Sequence, residues 1–568
     1  MNLVSRDEES WWKDAAIYQI YPRSFLDSNG DGIGDIQGIR ERVPYLRRLG
    51  VDAVWLTPIY ESPNADWGYD VSNYRAIDPT YGTVEELDQL LKELHRAGIR
   101  LIMDLVVNHT STEHPWFVSS LADPGGAFAS YYIWRKGRGS APPNNWDSYF
   151  GGSAWEYRSE REAYYLHLFS PGQADLNWEN REVRQEVYQI MNWWFDRGID
   201  GFRMDVINMI SKEQSFPDDE RILEGTATRG TPYFVNGPRL HEFMREMRRE
   251  VLHRPGVAAI GECPGATIEE LRSLAGLDRS ELDTAMHMEL MELDHGPGGK
   301  WDIRPWSRRE LAETISRWQS GLEGLAWPAN FLSNHDQPRG VSRFGEDRRY
   351  RRESAKMLAA LLLTQTGTPF IYQGEEIGMP NAGYREIDHY QDVDSLNYYG
   401  IKKIEGKSEG EILETVRYMS RDNARSPMQW RSEPKGGFTS GTPWIPMGWS
   451  AESVSVADEE NAPESVLEAY RELLALRKAE PALRRGSFRR LDLPGDAVFG
   501  ITKSFGETVL LVLLNLGSRE EPLEAEELPE ELSDGPDGLE RLWGNYERSG
   551  APERLAPFEA VIYRLTGG

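Results

Sequence analysis

Eight short apolar runs, each followed by a stretch with the three-to-four-residue spacing of an amphipathic helix, most tightly limit how this chain can fold. The runs fall at residues 15–20, 51–56, 100–107, 201–206, 257–261, 284–290, 330–333 and 368–372, with helical patterns such as 84–97, 182–196 and 239–252 between them. Strands that alternate with helices pair in parallel, because each helix carries the chain back across the sheet. Eight such units predict an α/β fold, a (β/α)8 TIM barrel whose active face lies at the C-terminal ends of its strands. No sequence repeat with a period of about 20–50 residues accompanies them, which excludes a solenoid.

Two intervals break the rhythm. Residues 110–178, after the third strand, are rich in Ser, Gly, Pro, Trp and Tyr and too long for a simple loop. They predict an excursion domain over the catalytic face. Residues 377–460, after the eighth strand, are also irregular. A closing helix follows at 464–479 and Pro481 ends it. Beyond it the pattern alternates, at 497–502, 509–515 and 560–565, as half-buried antiparallel strands do. The expected domains are the barrel at 1–109 and 179–485, the excursion domain at 110–178, and a C-terminal antiparallel β-sandwich at 486–568. The acid run 520–534 in this last part reads as a solvated loop.

Charge narrows the partners. The 568 residues include 64 basic and 92 acidic side chains, a net charge of -28. Such a field repels nucleic-acid phosphates and anionic membranes. The N-terminal residues 1–10 lack the apolar core of a secretory signal, and the longest aliphatic run, 357–363, is too short to span a bilayer. A single cysteine, Cys263, excludes an internal disulfide. The expectation is a cytoplasmic monomer or weak homodimer, with neither nucleic acid nor membrane as partner.

Polar residues stop on one rim. Asp104 lies in the third strand, with Asn108 and His109 at its end; Asp205 ends the fourth, two residues after Arg203; Glu262 ends the fifth; His335 and Asp336 end the seventh. One acid at a strand end is an ordinary cap or ion-pair partner. A buried cluster of several costs free energy unless it is paired, so it points to catalysis or a metal. Glycoside cleavage needs an acid to protonate the leaving oxygen and a carboxylate to attack or stabilise the sugar carbon. Arg203 shares a strand face with Asp205 and would keep it ionised, while Glu262, raised by neighbouring charge, would be the acid. The aromatics Trp67, Tyr69, Trp146, Phe150, Trp155 and Phe169 would offer flat apolar faces to sugar rings. The rival reading is a zinc or manganese site of His109, Asp205, Glu262, His335 and Asp336, although no paired-histidine spacing supports it.

A calcium signal stands apart. Asp27, Asn29, Asp31, Ile33 (through its carbonyl) and Asp35 occupy alternate positions of a loop with Gly32 at the tight turn. Those are the first nine positions of an EF-hand-like loop, without the closing Glu.

These motifs closely resemble the α-amylase superfamily of glycoside hydrolases, and within it the oligo-1,6-glucosidase, dextran glucosidase and α-glucosidase group. The resemblance covers nearly the whole chain, from residues 11–25 through 104–109, 201–207, 261–262 and 334–339 to 423–430. It implies Asp205 as nucleophile, Glu262 as general acid/base and Asp336 as the carboxylate that holds the distorted sugar. It implies that Asp66, Tyr69, His109, Arg203, His335 and Arg425 grip the terminal glucose, with Phe150, Phe169 and Gln173 lining the pocket. It also implies a Ca2+ ion in the loop at Asp27. Val206, after the nucleophile, accompanies α-1,6 specificity in the group, whereas Ala or Thr accompanies α-1,4. The chain departs from the group at Ala174, where Pro is usual and a looser rim loop is expected, and at Trp67, where Asn is usual. Residues 340–347 lack the isomerase motif of the sucrose isomerases. The resemblance therefore implies a retaining exo-α-glucosidase acting on short α-1,6-linked oligosaccharides. An α-1,4-glucosidase and a trehalose-6-phosphate hydrolase are the alternatives; a non-catalytic sugar-binding protein fits less well with an intact carboxylate set.

Overall fold

The apolar runs form one parallel sheet: β1 (Ile17–Ile20), β2 (Ala53–Leu56), β3 (Arg100–Leu105), β4 (Gly201–Met204), β5 (Ala258–Cys263), β6 (Thr284–His287), β7 (Ala329–Asn330) and β8 (Thr368–Tyr372). Its strand order is β6-β5-β4-β3-β2-β1-β8-β7, and a parallel bridge between Ala285 and Pro328 joins the ends into a barrel. The computed structural model describes residues 10–221, 228–278, 281–523, 539–548 and 553–565. Residues 1–9 and most of the acid run, 524–534, lie outside the described residues.

The outer helices follow their sequence signals. Helix Val84–Arg96 starts at a capping box of Thr83 and Glu86 and buries Leu87, Leu90, Leu91 and Leu94 on one face. Helix Arg181–Arg197 is capped by Asn180 and stops at Gly198 in left-handed backbone. The segment expected as one helix over 239–252 is Leu240–Met247, and its last part, Arg248–Leu252, widens into π-helix. β7 is shorter than its apolar run. The chain leaves the ladder after Asn330 and continues to His335 and Asp336 unpaired by strands.

Register places the site. Arg203 on β4 lies opposite Asp104 on β3 and Ile260 on β5. Residues 110–178 carry a three-stranded sheet, with Ala163–Leu166 between Trp134–Arg135 and Trp155–Arg158. Its apolar cluster, including Trp146, Phe216 and Phe234, also takes in Val206 and Met209 beyond β4. This region is therefore packed onto the catalytic rim.

After the closing helix Val466–Ala479 comes a five-stranded antiparallel sheet containing Val498–Phe505, Thr508–Asn515 and Ala560–Leu565. Both of its faces are apolar. Val512, Leu514 and Ile562 join the barrel core, while Leu511, Leu513, Val561 and Tyr563 pack with Leu523 and Leu555 at the two-stranded ladder Glu521–Pro522 and Arg554–Leu555. The alternation is the period of two of a pleated strand. Among the described residues no helix is long and apolar enough to cross a membrane.

Candidate active site

A cavity of about 380 Å³ opens at the C-terminal rim of the barrel, and Asp205, Glu262 and Asp336 all line it. Arg203 is the hub of its wall. Its Nη1 donates to Asp205 Oδ1 at 2.7 Å and to Asp104 Oδ1 at 3.0 Å, and its Nη2 pairs with Glu262 Oε1 at 2.5 Å. One buried guanidinium thus serves three carboxylates. Asp104 also accepts from Trp55 Nε1 and from the Tyr69 hydroxyl, each at 3.1 Å.

The backbone just after Asp205 is strained. Val206 has φ 36° and ψ 41°, a left-handed conformation that is costly for a β-branched residue. Its N–H donates to Glu262 Oε2 at 3.2 Å. The turn therefore orients the two carboxylates relative to each other.

Asp336 is held differently. It meets His335 Nε2 at 3.1 Å, Arg425 Nη2 at 2.8 Å and Arg421 Nη1 at 3.3 Å. Gln19 Nε2 lies 2.7 Å from His335 Nδ1, and the Tyr69 hydroxyl 2.6 Å from Nε2. A neutral imidazole with its proton on Nε2 satisfies all these partners, an assignment made from the hydrogen-bond network. Asp66 accepts from Arg421 Nη2 at 2.9 Å and from Gln173 Nε2 at 3.2 Å, and Gln173 Nε2 also lies 3.2 Å from His109 Nε2. Phe169 packs on His109 with ring centroids 5.1 Å apart and on Phe150 at 5.6 Å.

Electrostatics follow from this geometry. Burial raises Glu262 most, against the pull of Arg203, and the charges of Asp205 and Asp336 push it further, to about 7. Burial likewise raises Asp205, again against Arg203 and with Asp104 adding, to about 7. Burial raises Asp104 as well, to about 6, so the three carboxylates that share Arg203 are all held above their usual range. Burial also acts to raise Asp336, but His335, Arg421 and Arg425 overcome it and hold the carboxyl well below the usual range. The wall therefore offers two carboxyl groups raised toward neutrality, Asp205 and Glu262, beside Asp336, which stays charged. That is the inventory for acid-assisted displacement at a sugar carbon.

Of the residues expected at the sugar site, Asp66, Tyr69, His109, Phe150, Phe169, Gln173, Asp205, Val206, Glu262 and Asp336 line the cavity, and Arg203, His335 and Arg425 stand behind it as partners of its carboxylates. Three of the expected aromatics do not line it: Trp146 and Trp155 are buried in the neighbouring apolar cluster, and the Trp67 ring lies against Trp444 and Arg23. Two further positions differ from expectation. His109 does not end β3. It opens a separate strand, His109–Ser111, that pairs with Gln173–Asp175, so His109 and Gln173 reach the cavity from one two-stranded ladder. Ala174 does not loosen a loop. It is fully buried in that ladder, in register with Thr110.

Asp104, a rim residue in the sequence, takes its role from strand register, which sets it opposite Arg203. Sequence reasoning does not single out the other residues at the site. Arg421 bridges Asp66, Asp336 and Asp392, and its spacing of four from Arg425, one helical turn, was the available signal. Lys300 and Trp301, on strand Gly299–Ile303, and Asp394 and Tyr398, on helix Val393–Ile404, also line the cavity. The stretch 377–460 is thus not irregular throughout: it carries this helix and a second one, Glu409–Met419. Cys263 is buried beside Glu262 with its thiol pushed up by burial, which suits packing rather than attack.

The rival zinc or manganese reading gains nothing. Among the described residues no three His, Cys, Asp or Glu side chains are arranged to hold a metal ion. At the loop 27–35, Asp27 Oδ1 accepts from the N–H groups of Asn29 and Gly30, and Asp27 Oδ2 from Gly32 N–H and the Thr439 hydroxyl. Asn29 and Asp31 side-chain oxygens each accept one backbone N–H, and Asp35 caps helix Ile36–Glu41 through Gly38 N–H. Asp27 thus accepts four hydrogen bonds, about all that a carboxylate can take, and Asp35 three, two of them from Ser28 N–H and hydroxyl, while the Asn29 and Asp31 oxygens keep free lone pairs. The oxygens are of the hard type that suits calcium, but Asp27 would have to give up a hydrogen bond to ligate one.

Comparison with known proteins fits this geometry. The family described as alpha amylase, catalytic domain, matches residues 19–486. The oligo-1,6-glucosidase of Parageobacillus thermoglucosidasius is 48% identical, over 98% of this chain and 99% of that protein. Among solved structures, a trehalose-6-phosphate hydrolase of Bacillus licheniformis superposes with a TM-score of 0.92 at 42% identity, over 98% of this chain and 99% of that one. An isomaltulose synthase of Klebsiella sp. LX3 superposes with a TM-score of 0.92 at 38% identity, over 98% and 99% of the two chains.

Proposed function

The chain belongs to the α-amylase catalytic-domain family, and on that premise we propose that it is a retaining exo-α-glucosidase that hydrolyses terminal α-1,6 bonds of short isomalto-oligosaccharides. The observation that carries the reading is the Arg203 fork, which holds Asp205 and Glu262 on adjacent nitrogens. That closeness supports a retaining pair, about 5–5.5 Å apart, over the wider gap of an inverting pair. Asp205 attacks the anomeric carbon as its bond to the leaving oxygen breaks, and Glu262 gives that oxygen a proton. Glu262, now ionised, takes a proton from the water that releases glucose, and Asp205 regains its charge. Asp66, His109, Gln173, Arg425 and Asp336 grip the terminal glucose, and Phe150 and Phe169 supply its apolar wall.

Val206 favours the α-1,6 linkage in this reading. Its branched side chain fills the leaving-group side, which a linkage with an extra methylene can route around. Proton NMR of the first-formed glucose is expected to show the α anomer, and an initial β anomer rules out retention. Isomaltose is expected to exceed maltose in kcat/KM, and Val206→Ala to shift that ratio toward maltose by roughly 10- to 200-fold. A wild-type preference for maltose rules out the linkage.

Trehalose-6-phosphate is the second reading, favoured by the likeness to the Bacillus licheniformis hydrolase. Against it, the Lys and Arg side chains that line the cavity among the described residues are already paired. Lys300 meets Asp394 at 2.7 Å, and Arg421 meets three aspartates. A phosphate would have to displace a carboxylate from one of them. Higher kcat/KM on trehalose-6-phosphate than on isomaltose would replace the proposed function.

For the loop at 27–35 we propose a structural calcium ion held by Asp27, Asn29, Asp31, the Ile33 carbonyl and Asp35. When bound, the ion would supply charge neutralisation to this turn. The enzyme is proposed to work in the cytoplasm.

A further inference from the structure

We propose that Trp67 is the positioning residue that sets the Asp66 carboxylate at the end of the cavity, an inference that rests on the reading of Asp66 as a grip on the terminal glucose. The turn that carries Asp66 passes through left-handed backbone twice in succession, at Trp67 (φ 49°) and Gly68 (φ 101°). Glycine adopts that conformation freely, whereas the tryptophan Cβ crowds the following carbonyl. The strain persists only where surrounding contacts enforce it.

The indole supplies those contacts. Its Nε1 donates to the Gln391 carbonyl at 3.2 Å. The Arg23 guanidinium carbon lies 4.5 Å from the Trp67 ring centre and 4.8 Å from that of Trp444, and the two indoles are 4.9 Å apart. Such cation–π contacts hold best where water is excluded, and Arg23 is buried. Trp444 is fixed in turn, with Nε1 donating to the Ser24 hydroxyl and its backbone N–H to the Gly32 carbonyl, each at 3.0 Å.

The Gln391 contact closes a circuit. Gln391 and Asp392 N–H groups both donate to Asp422 Oδ2, at 2.7 and 2.9 Å. The Asp392 carboxylate pairs with Arg421 at 2.6 Å, and Arg421 reaches Asp66 at 2.9 Å. The same ring therefore anchors the turn bearing the Asp66 carboxylate and the segment that aims its guanidinium partner. Asn enters left-handed backbone more readily than tryptophan. This chain uses an external clamp where Asn would use its own conformational preference.

The test uses Trp67→Ala, Trp67→Phe and Trp67→Asn, with the inhibition constant of glucose, KM and kcat on p-nitrophenyl α-glucoside, and Tm for each. Trp67→Ala is expected to raise the glucose inhibition constant and KM by roughly 10- to 100-fold, the effect of a misplaced binding group. Trp67→Phe, which keeps ring contacts and loses the N–H, falls between. Trp67→Asn recovers part of the loss seen with Trp67→Ala. If Trp67 only packs the surface, Tm and the active fraction fall while the inhibition constant and KM stay at wild-type values, and the proposal is overturned. Should Trp67→Ala not fold, Trp67→Phe decides: a wild-type inhibition constant overturns the proposal. Wild type that neither cleaves the aryl glucoside nor binds glucose overturns the α-glucosidase reading and this proposal with it. Unchanged binding in active variants overturns this proposal alone.

Discussion

Glu262 stores a cost that its chemistry requires. Its carboxyl is pushed from 4.5 to about 7 in the folded chain. A raised acid binds its proton more tightly when folded, so stability is lost as pH rises from about 4.5 to about 7 and stays lower above that. Glu262→Gln remains neutral at every pH. It is expected to be more stable than wild type by a few kcal/mol near pH 8, with little gain near pH 4, and to turn over roughly 10²- to 10⁴-fold more slowly. Thermal melts at the two pH values check the first part; an equal gain at both means that Glu262 holds no such proton. The identity of the rim residues was legible because charged groups at strand ends stand out against apolar runs. Their partners were not. Asp104, Arg203 and Glu262 share one fork through strand register, and Arg421 reaches Asp66 across 355 positions of sequence, which no local pattern encodes.

The elements divide between periodic and irregular. Strands and helices with a repeating apolar face were readable within a few residues, because burial of one face dictates their spacing. Errors lie where a segment leaves its ladder, as at His109, or where short loops pack on each other. The turn at 27–35 is the instructive case, since its alternating oxygens were visible but its support was not. Gly32 has φ 94°, and a Cβ there would lie 1.8 Å from the Thr442 carbonyl oxygen. The segment after β8 thus presses directly on the loop, with Thr439 donating to Asp27 and Trp444 to Gly32. Removing the proposed calcium ion is expected to loosen both segments. Chelation should therefore lower Tm, with recovery on calcium addition that follows concentration. The rate of the still-folded enzyme should change little. Unchanged Tm across a controlled calcium titration argues against a bound ion.

At the scale of the molecule, the C-terminal sheet is joined to the barrel by apolar packing and by an unusual polar seam. Lys503, on strand Val498–Phe505, is fully buried and donates to the Thr366 hydroxyl just before β8. Arg477, on the closing helix, donates to the carbonyls of Leu363, Gln365, Gly367 and Leu483 around the same spot. Desolvation is the main cause that holds the Lys503 ammonium well below 10.5, and the nearby Arg477 charge adds to it. A depressed base loses its proton on folding, so the unfolded chain binds more protons and stability rises with pH between the depressed value and 10.5. Each unit of depression costs about 1.4 kcal/mol at low pH. Lys503→Met keeps the length of the side chain and removes the charge. It is expected to raise Tm, with a larger gain at pH 7 than at pH 10, while kcat/KM is unchanged because the seam lies behind β8 and away from the rim. A gain that does not depend on pH would mean that Lys503 carries its charge equally well in both states.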